Sequence, residues 1–349
     1  MDVPRDGRSL HLRRAGTARV ADRLTPYMGC VPSIRWRRRL WARFAGGVLF
    51  AGALAMCLLG TLVWTRSEAE LDRDFDVAVA DLELRRSEKA EQSDRGRHLA
   101  SVVAQCHFCH GPDLAGRELA DDPLVGRLFA SNLTAGRGGV AATYTRADWV
   151  RAIRFGVGRD GRSLLLMPSA HLSRMSDEDL AAVIDYLGRI PAVDAELPAT
   201  RIGWLTRLAL AAGAAPDLLS AALVDRTRRA PIDSKPERTH DYGRYLVDLG
   251  SCRVCHHPDL RGGRHALSLP GEPVAPDLRR GGALEDWTLD DFRRAMREGL
   301  TPSRRPLDRN FMPWPAFAGL SDLEVEAIWV YLRSLDADPA PGLEIAQRP

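Results

Sequence analysis

Four of the six cysteines in this 349-residue chain stand in two pentapeptides, Cys106-His107-Phe108-Cys109-His110 and Cys252-Arg253-Val254-Cys255-His256. The shared pattern, C-x-x-C-H, is the attachment signature for c-type haem. Two thiols one helical turn apart reach the porphyrin vinyls, and the adjoining imidazole supplies a nitrogen to iron. Two copies predict two covalently attached haem c groups, with Cys106, Cys109, Cys252 and Cys255 as thioether donors and His110 and His256 as proximal iron ligands. Paired cysteines also suit zinc, but compact zinc ribbons place their pairs about 15 to 20 residues apart, whereas these pairs are separated by 146. A thioredoxin-like redox pair needs one motif in a strand-helix context. Neither alternative accounts for the trailing His in both copies.

Haem iron takes a ligand on its second face unless that position is left open for chemistry. Met167 and Met312 are the candidates: each precedes Pro, and they lie 57 and 56 residues past His110 and His256. A thioether is a soft, neutral donor that raises the reduction potential. The alternative for any Met is to fill core space, and Met175 and Met296, at a helix start and inside a helix pattern, are read that way. Histidine competes for the same role. His107 and His257 adjoin the motifs but are poorly placed for the opposite face, and His171 and His265 fall in loops without repeat counterparts. His11, His98 and His240 are read as surface or packing residues.

The motifs belong to a longer internal repeat. Gly96-Arg97-His98-Leu99 matches Gly243-Arg244-Tyr245-Leu246, and His110-Gly111-Pro112-Asp113-Leu114 matches His256-His257-Pro258-Asp259-Leu260. Trp149 to Gly156 corresponds to Phe292 to Gly299. Each copy closes on an amphipathic stretch begun by Ser-x-x-acid, Ser176 to Asp179 and Ser321 to Glu324, a helix-start signal. Strand signals are weak throughout. Apolar periodicity predicts helices over 97–105, 146–155, 177–189, 241–251, 288–298 and 322–334, separated by Gly- and Pro-rich loops. The expected class is all-α, with two small helical domains whose cores are completed by a large apolar macrocycle.

These domains need a location. Residues 44–64 carry no charge and are long enough to cross a bilayer as a helix. Arg35, Arg37, Arg38, Arg39 and Arg43 precede the run, which marks its cytoplasmic end and predicts export of the remainder; Trp41 and Trp64 bracket it as interfacial anchors. The alternative is a cleaved signal peptide with Ala53-Leu54-Ala55 as the processing site, but the run exceeds the usual signal core. Cys57 is read as a small hydrophobe within it, and Cys30 lacks the preceding apolar run of a lipoprotein site. Residues 1–43 hold 11 Arg and 3 Asp, a net of +8, which leaves 38 basic and 43 acidic groups, a net of −5, in the rest. No basic nucleic-acid surface is indicated there. The 47 Arg against only Lys89 and Lys235 point to a GC-rich genome, not to phosphate binding.

The expected organisation is a basic cytoplasmic segment (1–43, of which 1–27 is either a cytosolic tail or an over-extended gene start before Met28), an anchor (44–64), a charged stalk (65–94), a first domain (95–195), a linker (196–237), a second domain (238–337) and a tail (338–349). In the linker, the apolar sequence from Leu205 to Val224 is interrupted by Arg207, Pro216 and Asp217, so it reads as a short helix packed on the domains or the membrane surface.

Over residues 94–192 and 240–336 the sequence resembles the diheme class I c-type cytochromes, in particular membrane-anchored cytochrome subunits that accept electrons from periplasmic dehydrogenases. The resemblance rests on C-x-x-C-H, the following Pro, Asn132-Leu133-Thr134, the Met-Pro pairs and the closing Ser-Asp helices. It implies tandem class I domains after a transmembrane helix, Met167 and Met312 on the far side of iron, and the carbonyls of Pro112 and Pro258 accepting the second N–H of His110 and His256. Alcohol dehydrogenase subunits of this type usually carry three haems, and two motifs stand here. The function implied is one-electron transfer without substrate chemistry, at the bacterial inner membrane with the haem domains periplasmic. An exported dehydrogenase would be the donor, and a soluble cytochrome or terminal oxidase the acceptor. The rival readings are a diheme peroxidase-like enzyme with one open iron and a cytochrome c subunit of a terminal oxidase.

Overall fold

The computed structural model describes residues 34–77, 90–227, 235–264, 271 and 273–336. Readings that fall on Cys30, Met28, His11, His265, residues 78–89 of the stalk and the 338–349 tail lie outside these. The chain divides into two units, residues 1–59 and 60–349. The described part of the first is the beginning of helix α1 (Ile34–Leu71), with Trp41, Phe44, Leu49 and Phe50 exposed. Among the described residues α1 is the one helix long and apolar enough to cross a membrane.

The second unit takes in the end of α1 and is mostly helical. Its first repeat comprises α2 (Ala90–His98), a π turn (Leu99–Val103), α3 (Cys106–His110), strands β1 (Arg117–Asp122) and β2 (Gly126–Ala130), α4 (Arg146–Phe155), α5 (Ser169–Leu172) and α6 (Asp177–Leu187). After β3 (Arg201–Ile202) and α7 (Trp204–Ala211), the second repeat follows as α8 (His240–Leu249), α9 (Cys252–His256), α10 (Leu289–Glu298), α11 (Trp314–Phe317) and α12 (Asp322–Ser334). Corresponding helices begin and end by the same devices. Thr145 with Asp148 and Thr288 with Asp291 form capping boxes at the starts of α4 and α10. Both helices stop at a left-handed glycine, Gly156 and Gly299, each with φ 66°.

The all-α expectation is corrected in one place. β1, β2 and β3 form an antiparallel sheet in that order, Arg117 pairing with Ala130 and Asp122 with Gly126. The strand Arg-Glu-Leu-Ala-Asp-Asp has four charged residues of six and is bulged between Glu118 and Ala120, so it shows no period-two apolar pattern. Its turn is held by Asp122, whose Oδ1 accepts the N–H groups of Leu124 and Val125, both at 2.8 Å. Beyond α1 the Phe75 N–H donates to the Gly161 carbonyl (2.9 Å), and its ring is buried with Val157 and Ala221.

In each repeat the first and last helices cross at a glycine. A Cβ on Gly96 would overlap the Ala182 carbonyl of α6, and one on Gly243 the Ala327 carbonyl of α12. These are the repeat-equivalent glycines of the Gly-Arg-x-Leu segments, so the sequence match marks a backbone contact that no other residue permits.

One continuous hydrophobic core runs through both repeats, and a reciprocal polar contact joins them. His98 of α2 donates from Nε2 to Glu324 of α12 (2.8 Å), while its counterpart Tyr245 of α8 donates to Asp179 of α6 (2.6 Å). The same surface on each copy thus faces the other, as across a two-fold interface. Asp179 also takes a bidentate contact from Arg95, both bonds 2.9 Å. Burial works to raise the Glu324 carboxyl, but hydrogen bonds from His98 and Ser321 hold it below its ordinary value. The capping box of α12 is complete within its own repeat, since Ser321 N–H reaches Glu324 (2.9 Å). In α6 the shorter Asp179 leaves that donor to the other repeat, and Ser176 N–H is accepted by the Tyr245 hydroxyl at 3.1 Å.

Gly96→Ala and Gly243→Ala should each destabilise the protein by about 3 kcal/mol, the upper range for overpacking, because the obstacle is backbone; thermal unfolding of the holoprotein checks this. Tyr245→Phe should cost about 1–3 kcal/mol in chemical denaturation, because it strips a buried N–H at the start of α6 of its acceptor.

Candidate functional site

Both pentapeptides fold as single-turn helices entered through a left-handed residue, Gln105 (φ 51°) before α3 and Ser251 (φ 55°) before α9. A single turn sets the two thiols of each motif on one side. None of Cys106, Cys109, Cys252 and Cys255 is in a disulfide. Desolvation pushes the Cys106 and Cys252 thiols up to about 12, although each residue keeps some exposed surface. No group of three or more His, Cys, Asp or Glu side chains placed to hold a metal ion occurs among the described residues, so the zinc reading finds no cluster.

The two motif histidines are held alike, though not by the expected atoms. His110 Nδ1 lies 2.8 Å from the Ser131 carbonyl, and His256 Nδ1 lies 2.9 Å from the Pro276 carbonyl. The carbonyls of Pro112 and Pro258 do not accept from these rings. Past each His the chain turns at Gly111 (φ 83°) or His257 (φ 65°), and a later stretch of backbone returns to the imidazole. The return is fixed by Leu133 N–H to the Leu114 carbonyl (2.8 Å) and Leu278 N–H to the Leu260 carbonyl (2.9 Å). Pro112 instead lines a pocket with His107, Tyr186 and Ile190, and the Pro258 carbonyl accepts from Arg253. Burial pushes both imidazoles below the ordinary His value, against the opposing carbonyl hydrogen bond. A neutral ring that donates Nδ1–H keeps Nε2 as a bare lone pair, and Nε2 makes no hydrogen bond among the described residues. Two thiols a turn apart beside such an imidazole are the donor set that covalent haem requires, and the residues present fit it at both motifs.

Met167 and Met312 sit in one conformation of chain. The prolines after them have φ −78°, ψ 45° and φ −76°, ψ 50° and cap α5 and α11. The Met carbonyls accept from Ser169 N–H (2.8 Å) and Trp314 N–H (2.7 Å). Both Met side chains are partly buried at the edge of the core that also receives Cys106 and Cys252, whereas Met175 and Met296 are buried within it. His171 lies in α5, where burial lowers its pKa, not in a loop. His98, read as surface or packing, instead serves the contact between repeats.

Sequence reasoning missed a second link between the copies. Asp248, buried on α8, receives Arg174 of the first repeat (2.6 Å) and Arg253 of the second motif (2.7 Å). Arg253 also reaches the Tyr331 hydroxyl. The residue between the two motif cysteines is thereby tied to the segment that follows Met167. Ser131 and Pro276 were missed because they act through backbone carbonyls, which carry no residue-type signal. The match of Asn132-Leu133 to Asp277-Leu278 was the available clue.

Residues 91–187 match the family described as cytochrome c oxidase, cbb3-type, subunit III. The chain is 27% identical over 282 residues to the fructose dehydrogenase cytochrome subunit of Gluconobacter japonicus, covering 72% of this chain and 54% of that protein. It is 29% identical over 280 residues to the gluconate 2-dehydrogenase cytochrome c subunit of Pantoea cypripedii, covering 70% and 60%. It is 25% identical over 277 residues to the cytochrome c subunit of the quinone alcohol dehydrogenase of Gluconobacter oxydans, covering 70% and 55%. The chain thus spans little more than half the length of these relatives. Residues 91–187 are a cytochrome c family domain, in a chain whose relatives include the cytochrome c subunits of dehydrogenase complexes.

Proposed function

We propose that this chain is a diheme c-type cytochrome that passes single electrons from an exported dehydrogenase to a respiratory acceptor, a soluble cytochrome or a terminal oxidase. The observation that carries the reading is the doubled geometry: two C-x-x-C-H helices, each with its His Nδ1 on a returning carbonyl and each followed by the same Met-Pro turn. Residues 95–195 and 238–337 are the two tandem class I domains of this proposal, held by 44–64 at the bacterial inner membrane, with the N-terminus cytoplasmic and the haem domains periplasmic. Two haem c groups would be attached at Cys106 and Cys109 and at Cys252 and Cys255, with His110 and Met167 on one iron and His256 and Met312 on the other.

Bound haem would supply reversible one-electron chemistry at iron. The chain's own part is to bind, orient and tune. Ser131 and Pro276 orient the imidazoles and raise their basicity. Met167 and Met312 would raise the potentials and close the second faces, which favours transfer over peroxide chemistry. Asp248, between Arg174 and Arg253, ties the first repeat to the second motif. The relatives named as dehydrogenase subunits support a dehydrogenase as donor.

Met167→Ala and Met312→Ala should each lower the potential of one haem by on the order of 100 mV, within the roughly 0.8 V range that axial ligands command. Potentiometric titration checks it, and unchanged potentials in both variants would remove these residues as ligands. The wild-type spectrum should be low-spin at both irons. A high-spin, peroxide-reactive component would favour the peroxidase-like reading instead.

A further inference from the structure

Helix α7 is amphipathic in the wrong sense for a water-soluble surface. Its sequence, Trp-Leu-Thr-Arg-Leu-Ala-Leu-Ala, has one charged residue, Arg207, and that residue is buried at 9% exposure. Trp204, Leu205 and Leu208 on the other side are 46%, 51% and 44% exposed. Arg207 turns inward onto the end of α1: its guanidinium lies 3.7 Å from the centroid of the Trp64 ring, 2.6 Å from Glu68 and 3.0 Å from the Ser67 hydroxyl. The helix is thus locked to the exit of the apolar run, and its apolar face is left outside.

Depth follows from a second contact. Trp204 packs on Gly60, where an added Cβ would lie 3.8 Å from the ring. Gly60 is four residues inside Trp64, about 6 Å along the helix axis, within the uncharged stretch. A side chain that touches Gly60 shares its level. The turn between β1 and β2 is fastened to the same helix, through Gly203 N–H to the Val125 carbonyl (2.9 Å), Leu205 N–H to the Leu124 carbonyl (3.0 Å) and the Thr206 hydroxyl to the Val125 carbonyl (2.8 Å). That turn adds Leu124, 60% exposed, and Val125.

We propose that Trp204, Leu205, Leu208, Leu124 and Val125 form a foot that inserts into the phospholipid leaflet from which α1 emerges. The occupant of this surface is lipid because Trp204, which packs on Gly60, lies at the depth of the uncharged end of α1, and Trp204, Leu205 and Leu208 carry no charge of their own. Membrane-interface helices place Trp and Leu on the buried side in this way. The inference rests on 44–64 spanning the membrane. With α1 as one point of attachment and the foot as another, the chain would meet the bilayer at two points.

The test uses nitroxide labels on the full-length holoprotein in phosphatidylcholine vesicles, in a Cys30→Ser background. A label on Cys57 reports the span. Labels on Leu205→Cys and Leu208→Cys, each with Cys57→Ser, report the foot, and an unchanged haem spectrum verifies folding. All three labels should collide with dissolved oxygen and lose access to an aqueous nickel chelate on transfer from dilute detergent to vesicles. A shielded Cys57 label with freely chelate-accessible labels at 205 and 208 would overturn the foot and leave the anchor standing. Labels at 205 and 208 shielded from both reagents would show protein on this face and overturn it too. A chelate-accessible Cys57 label would remove the anchor and the foot together.

Discussion

An imidazole that is to ligate iron needs one ring nitrogen bare and is oriented by a hydrogen bond at the other, and in both repeats a backbone carbonyl does the holding. His110 depends on Ser131 and His256 on Pro276, so each motif helix is finished by chain about 20 residues downstream. The turns at Gly111 and His257 send the chain out. The bonds from Gly116 N–H to the His110 carbonyl (2.8 Å) and from Gly262 N–H to the His256 carbonyl (3.0 Å) fold the loop back on the motif. The close helix crossings at Gly96 and Gly243 give that loop a rigid base. A thiol pair on a single turn has little structure of its own, and the surrounding fold supplies what the short helix lacks.

The carboxylates that start the closing helices have a second duty. Asp179 and Glu324 stand three residues past the N-cap serines of α6 and α12, and both accept from the opposite repeat. Buried ionic contacts contribute less to net stability than their short distances suggest, because desolvation offsets the attraction, but they penalise any arrangement that leaves a charge unpaired. Here they favour one mutual orientation of the copies over others that the apolar core alone would tolerate. The Arg174–Asp248–Arg253 chain acts in the same sense, close to the second motif. A fixed orientation matters for a relay, since electron transfer between two sites depends on their separation.

Much of this was legible in the sequence because repetition separates signal from chance. The helices predicted over 146–155 and 322–334 are found at those bounds, since capping residues and apolar periodicity agree there. The stretch predicted over 97–105 begins earlier and passes into a π turn at Leu99–Val103, a change of winding that apolar spacing does not report. The sheet escaped because β1 is charged, bulged and partly solvent-facing. The histidine acceptors escaped for a different reason. Proline two residues past each motif is the nearest carbonyl candidate along the chain, whereas the acceptor in space arrives through a loop whose path is set by positive-φ residues and backbone hydrogen bonds. The contact between repeats was hidden by divergence, because His98 and Tyr245 differ in type while acting as donors to equivalent carboxylates.

Central to the proposed relay is that each motif holds a covalent haem independently of the other. The most direct measurement is the intact mass of the denatured holoprotein beside that of a Cys106→Ala, Cys109→Ala variant. Two covalent haem groups on the wild type and one on the variant are predicted. A single group on the wild type, or none retained by the variant while it remains folded, would contradict it.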